Sequence, residues 1–219
     1  TITLIALAMG YWWGGRLSRV AGQQAPTILT FRFGLMPAAS SLSLVIACLL
    51  YPKIFPALAL QDMVLGAFLA CCVLLLVPLV AISAMNPLLI AMSRRTDDSC
   101  SNGDGGAGLV FFISTLGSVL GVLITAFGFI PRWTNFSSVL LLAIILAITS
   151  LSIPWGVADL GGLRKRWLWS LSIAGLLLSI GLLLGRNIYL NKYAMIQMEQ
   201  NTWRLVDERP SFFGNIKVV

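Results

Sequence analysis

Charged residues punctuate this chain, and long stretches between them carry no charge at all. Residues 1–15, 33–52, 63–93, 105–131, 133–158 and 167–185 contain no Asp, Glu, Lys or Arg. A helix crosses the ~30 Å hydrocarbon layer with about 20 apolar residues. A charge at mid-bilayer costs about 2.5–3.5 kcal/mol on insertion scales. The pattern therefore predicts six helical spans. Five runs are long enough and the first is short. The chain opens on Thr1 rather than Met, so that first span is expected to be truncated at its start. It does not read as a signal peptide, because it lacks a basic start and Tyr11-Trp12-Trp13 is a poor cleavage neighbourhood. Membrane strands are not predicted. Barrel strands alternate apolar and polar residues over about ten positions, whereas residues 73–80 and 139–147 are continuously apolar.

The third run exceeds one span and holds Pro78 and Asn86-Pro87. Proline removes a backbone donor and disfavours helical geometry in the residue before it. The reading is one span over 63–84, a break or kink at Asn86-Pro87, and a short helical exit to Arg94-Arg95. A single long tilted helix is the alternative. Tryptophan marks the span ends: Trp12, Trp13, Trp133, Trp155, Trp167 and Trp169 all lie there, where amphipathic rings prefer the headgroup region.

Composition sharpens the picture. Of 219 residues, 58% are hydrophobic and 11% charged, and mean hydropathy is +0.90. An ordinary soluble domain carries roughly 25% charged residues, and disorder needs low hydrophobicity. Both are excluded. Histidine is absent, which removes His-based acid/base catalysis and every His-ligated metal. With alternating spans, Arg16, Arg19, Arg32, Arg94, Arg95, Arg164, Lys165 and Arg166 fall on one side, and Lys53 and Arg132 on the other. The positive-inside rule places the first set in the cytoplasm. These cations flank lipid spans, so the net charge of +7 does not indicate a nucleic-acid partner.

Composition shifts after Gly185. Residues 186–219 hold five of the fifteen cations and three of the eight acids. Residues 187–198 read as an interfacial helix. Residues 202–206 read as a strand, 208–211 as a turn and 212–219 as a second strand. A lone hairpin is not stable in water, so a soluble domain is expected to continue beyond Val219. Residues 96–108 are the most linker-like stretch.

Candidate chemistry is sparse. Asp62, Asp97, Asp98, Asp104, Asp159, Glu199, Asp207 and Glu208 all lie outside the predicted spans, whereas cation and proton transporters place carboxylates inside. Asp62 reads as a helix-start residue. A site from Asn86, Ser and Thr hydroxyls and broken-helix carbonyls stays open. Gly103-Asp104-Gly105-Gly106-Ala107-Gly108 lacks the Lys and Ser/Thr of a phosphate loop and reads as a flexible interhelical turn. The fourth span carries Ser114, Gly117, Ser118 and Gly121, with Thr125 a turn further on, and Gly10 and Gly14 repeat the GxxxG spacing. Small residues at this spacing let helices approach closely, so these six are the expected helix-packing residues, within one bundle rather than between copies. Cys48, Cys71, Cys72 and Cys100 show no metal spacing and read as small apolar fillers, with Cys100 reduced in a cytoplasmic loop. No catalytic, cofactor or metal site is expected within the chain.

Three stretches resemble one family. Gly10-Tyr11-Trp12-Trp13-Gly14-Gly15-Arg16-Leu17-Ser18-Arg19 resembles the span-to-loop signature near the start of bacterial spermidine-synthase-like membrane proteins, which join a major-facilitator-like membrane region to a synthase domain. Residues 107–121, continuing to Gly128-Phe129-Ile130-Pro131, resemble their most recognisable membrane motif. Residues 208–218 resemble the first strands of a spermidine synthase domain. Family members often carry an acid where Arg19 stands, and active aminopropyltransferases usually carry Gln where Gly214 stands. The resemblance implies that the Gly-rich nucleotide loop and catalytic Asp lie beyond Val219. It implies a multi-pass protein of the bacterial inner membrane, with polyamine or nucleoside substrate reaching it only through the domain downstream.

The expectation is an all-α polytopic bundle of about six spans over 1–185. A linker and the beginning of a β-containing soluble domain follow over 186–219. The bundle would anchor an aminopropyltransferase-like domain. The rival readings are a transporter of polyamine or another small solute, and a non-catalytic scaffold. Six alternating spans place the tail opposite the basic loops, which conflicts with a cytosolic nucleoside substrate. A reporter fused after Val219 is expected to read non-cytoplasmic, and a cytoplasmic signal would overturn the six-span alternation.

Overall fold

The computed structural model describes residues 2–22, 26–61, 63–96, 105–156, 162–193, 196–198, 201–203, 207–211 and 214–218. The fold is helical. Helices α1 (Ile2–Gly22), α2 (Pro26–Gln61), α3 (Met63–Thr96) and α4 (Gly105–Ile124) lead into a π-helical turn, Thr125–Phe129. Helices α5 (Asn135–Gly156), α6 (Gly162–Leu184) and α7 (Arg186–Tyr193) follow. In hydrocarbon every backbone N–H and C=O must be satisfied within its own segment, and helices are what such continuous apolar runs form. Five are long and apolar enough to cross a membrane: Thr27–Pro52, Val64–Ser93, Ala107–Phe129, Asn135–Trp155 and Gly162–Leu184. Helix α1 does not reach that standard, so five candidate spans stand where about six were expected.

Helix α2 is the centre of the bundle. One face meets α3 through Leu29, Met36, Ala81, Ala84 and Leu88. Another meets α5 through Leu44, Val45 and Ala143. Contact pairs fix the directions. Gly34 of α2 lies against Ser150 of α5, and Ser41 against Ala143, so those two helices are antiparallel. Gly34 also faces Leu168 of α6, and Ser41 faces Gly175, so α2 and α6 run parallel. Gly10 and Gly14 of α1 face Ser83 and Ala84 of α3, so α1 and α3 run parallel. These relative directions are the ones an up-and-down order of helices would give.

Several expectations change. At Asn86-Pro87 the alternative reading holds: α3 is a single long helix that runs through both Pro78 and Pro87. Its flank at Pro78 is tied to a neighbour, since Ser40 Oγ lies 2.9 Å from the Met36 carbonyl and 3.3 Å from that of Pro78. Arg32 is not a loop residue. It sits inside α2, and its guanidinium donates to the Leu17 carbonyl at 3.0 Å. Gly105–Gly108 are not an interhelical turn but the first turn of α4. Residues 97–104, with Cys100, lie outside the described residues, as do Asp62 and Asp159. The interfacial helix stops at Tyr193, short of 198. Strand β1 (Ile196–Met198) then pairs antiparallel with β2 (Asn201–Trp203). Strand β3 (Asp207–Ser211) pairs with β4 (Gly214–Val218). The expected turn at 208–211 is therefore strand, with Pro210 opposite Asn215. A two-stranded pair has only edge strands, where proline is tolerated. The two pairs are separate sheets.

The close approach of α1 and α3 yields a test. A Cβ at Gly14 would meet the Ala84 carbonyl oxygen at 2.6 Å, whereas one at Gly117 meets nothing within 4 Å. Gly14→Leu is expected to lower stability by about 1–3 kcal/mol, and Gly117→Leu to leave it within about 0.5 kcal/mol. Unfolding of each variant in bilayer-mimetic micelles measures the difference.

Candidate functional site

The six small residues expected to pack helices divide into two groups. Gly10 and Gly14 are buried against α3, and a side chain at Gly10 would collide with Ser83 Oγ and the Val80 carbonyl. On α4, Gly117, Ser118 and Gly121 are exposed and Ser114 is half-buried. No atom approaches Gly117 or Gly121 within 4 Å of a built Cβ. None of the described side chains of α4 is buried. The same spacing thus produces a packed contact on one helix and a bare face on another. GxxxG permits approach, but it does not supply the partner.

A second close-packed region is a seam among α2, α5 and α6 that periodicity alone did not pick out. Ser41, Ser150, Ser172, Gly175 and Ser179 are all buried there. Ser41 Oγ donates to the Ala143 carbonyl at 2.8 Å. Ser150 Oγ donates to the Gly34 carbonyl at 2.9 Å and lies 2.7 Å from Ser172 Oγ. Since the Ser150 proton points to Gly34, Ser172 is the donor of that pair. Ser179 Oγ donates within its own helix to the Gly175 carbonyl at 2.6 Å. These short side chains bring backbones together, and their hydroxyls cross from helix to helix. A signal existed in the sequence: Ser172, Gly175 and Ser179 recur on one face of α6. It went unread because Ser and Gly are also plentiful on faces that pack nothing.

A second cluster closes the opposite end of the same three helices. Arg186, at the start of α7, donates through one guanidinium nitrogen to Thr134 Oγ1 at 3.2 Å and Ser137 Oγ at 2.5 Å. Both hydroxyl residues are buried, and their oxygens lie 3.0 Å apart. Thr134 immediately precedes α5, so the cation spans the start of α5 and the end of α6. Its positive charge suits the negative end of α6. Nearby, Tyr189 donates from its hydroxyl to the Leu49 carbonyl at 2.6 Å, and its ring stacks on Phe136 with centroids 6.5 Å apart. Phe136 in turn meets Tyr51 at 6.2 Å. Arg186 was counted with the tail in the sequence. It belongs to the bundle.

The remaining polar candidates are occupied by packing. Asn86 Nδ2 donates to the Tyr11 hydroxyl at 3.2 Å, joining α3 to α1. Ser83 Oγ lies 2.7 Å from the Leu79 carbonyl. Arg132 donates to the Phe127 and Gly128 carbonyls, capping the π-helical turn. Cys48 is buried, Cys72 half-buried and Cys71 exposed, and none of the three is bonded to another. What this arrangement does chemically is hold helices at fixed spacing: the seam hydroxyls are engaged by backbone carbonyls and, at Ser150 and Ser172, by each other. Comparison with protein-family profiles, with curated proteins and with solved structures finds no match.

Removing the guanidinium tests the clamp. A hydrogen bond to a charged group contributes about 1.5–3 kcal/mol, and Arg186 is only half-buried, so the lower part of that range applies. Arg186→Met is expected to destabilise the bundle by about 1–2 kcal/mol. Amide hydrogen exchange should quicken at residues 135–138 and stay unchanged in the middle of α5.

Proposed function

We propose that this chain is the membrane region of a bacterial spermidine-synthase-like protein. Its helix bundle anchors a C-terminal aminopropyltransferase-like domain to the inner membrane. The observation that carries the reading is the change of structure past Gly185. Apolar helix gives way to the short α7 and then to two antiparallel strand pairs. The second pair is built from the residues that resemble the opening strands of a spermidine synthase domain. A two-stranded pair is marginal alone, and a domain continuing beyond it would supply the missing core. The middle motif supports the same reading, because residues 107–129 form one continuous helical element, α4 with its π-helical turn, and Ile130-Pro131 turn the chain at its end. Anchoring is favoured over transport by the seam, whose hydroxyls are engaged with backbone.

The test uses the full-length gene product in its native membrane. It is expected to transfer an aminopropyl group to a diamine acceptor. Deleting everything after Gly185 should abolish that activity while the bundle still inserts. A downstream sequence without a Gly-rich loop and a following acid would instead favour the scaffold. Solute flux in proteoliposomes that survives the deletion would favour the transporter.

A further inference from the structure

The start of α6 places three cations where a helix least favours them. Arg164, Lys165 and Arg166 occupy its first turns, against the positive end of the helix dipole. Among the described residues none of the three makes an ion pair or a hydrogen bond. Arg164 and Arg166 are exposed. An anion bound at this helix start would relieve the repulsion from the dipole and among the three charges.

A second, independent feature lies one turn along the same helix. Trp169 Nε1 is buried and has no hydrogen-bond partner. A buried donor left unsatisfied costs about 1–3 kcal/mol. Trp155, from the last turn of α5, stacks on the Trp169 ring with centroids 6.2 Å apart and planes at 23°. Trp155 is itself 77% exposed, a ring that little else restrains. Lys165 and Trp169 are four residues apart and share a helix face. Leu163 (75% exposed) and Trp167 (62% exposed), also four residues apart, present a separate apolar face of the same helix start.

We propose that this corner, formed by Arg164, Lys165, Arg166, Trp155 and Trp169, binds the headgroup of an anionic phospholipid. The phosphodiester supplies the negative charge that the cations lack and acceptor oxygens for the indole N–H once Trp155 shifts aside. The occupant is a lipid because the cations adjoin a span, at the depth where headgroups lie. The exposed indole and leucine surfaces beside them suit the glycerol and upper acyl chain. Basic clusters at the cytoplasmic end of a span attract anionic lipid by about 1 kcal/mol per cation. Here the aromatic pair adds a fixed position to that attraction.

The experiment compares thermal unfolding of the detergent-purified chain with added dioleoyl phosphatidylglycerol, dioleoyl phosphatidylcholine or inorganic phosphate. Phosphatidylglycerol is expected to raise Tm by about 5 °C, and the other two to leave it unchanged. The variant Arg164→Gln/Lys165→Gln/Arg166→Gln should lose the rise. Arg16→Gln/Arg19→Gln, which removes cations at a different helix end, should keep it. Trp155→Leu keeps every charge and should lose at least half of the rise, so it decides the matter even where the triple variant fails to insert. An equal rise in the Gln triple variant or in Trp155→Leu would overturn the proposal. So would loss of the rise in Arg16→Gln/Arg19→Gln, or a rise with inorganic phosphate alone.

Discussion

Helices in hydrocarbon gain nothing from hiding leucine from leucine-like surroundings, so close backbone approach is what the rest of this structure depends on. Lipid tails are as apolar as the side chains they would replace, which leaves packing and interhelical hydrogen bonds to drive association. The seam of Ser41, Ser150, Ser172 and Gly175 supplies both at once. It sets the spacing of α2, α5 and α6. Through α2 it also sets the platform on which α3 and then α1 are laid.

The outer residues fit this logic. Large apolar side chains such as Val64, Phe68, Phe112, Val122 and Leu177 are exposed on the perimeter, which in water would mark a binding face. Around a membrane bundle they are the lipid-facing surface. Trp12 and Arg16 show the transition at its border, with the guanidinium 4.3 Å from the indole centroid. Such a pairing suits an interface, where amphipathic side chains keep an apolar body in lipid and a polar tip in water.

Helices were legible because charge placement and run length report directly on lipid. Runs 63–93 and 133–158 became α3 and α5 with ends displaced by a few residues. Partners were not legible, and Gly117 shows why. Its GxxxG is as good as that of Gly10 and Gly14, yet only the α1 pair faces another helix. Spacing encodes what a face permits, while the neighbour is decided by the order and length of every other helix. Asn86-Pro87 misled for a related reason. Proline disrupts an isolated helix, but a helix embedded among neighbours tolerates it, because side chains and adjacent helices can answer the freed groups. Arg186 was hidden because one cation among five in a polar tail carries no mark of folding back onto Thr134 and Ser137. The seam serines carried no mark of their own, because hydroxyls look alike in sequence whether they face lipid, loop or a carbonyl.

The unequal helix lengths have a consequence for the surrounding bilayer. The apolar segment of α3 runs for 30 residues and that of α4 for 23. At 1.5 Å per residue these are ~45 Å and ~35 Å, against a hydrocarbon thickness of ~30 Å. A lone long helix relieves such mismatch by tilting. Helix α3 cannot tilt independently, since it is tied to α2 at Ser40 and to α1 at Gly14. Unless the bundle tilts as a whole, the membrane thickens more beside α3 than beside α4. The protein will therefore favour membranes, or local lipid compositions, whose thickness makes that distortion smallest.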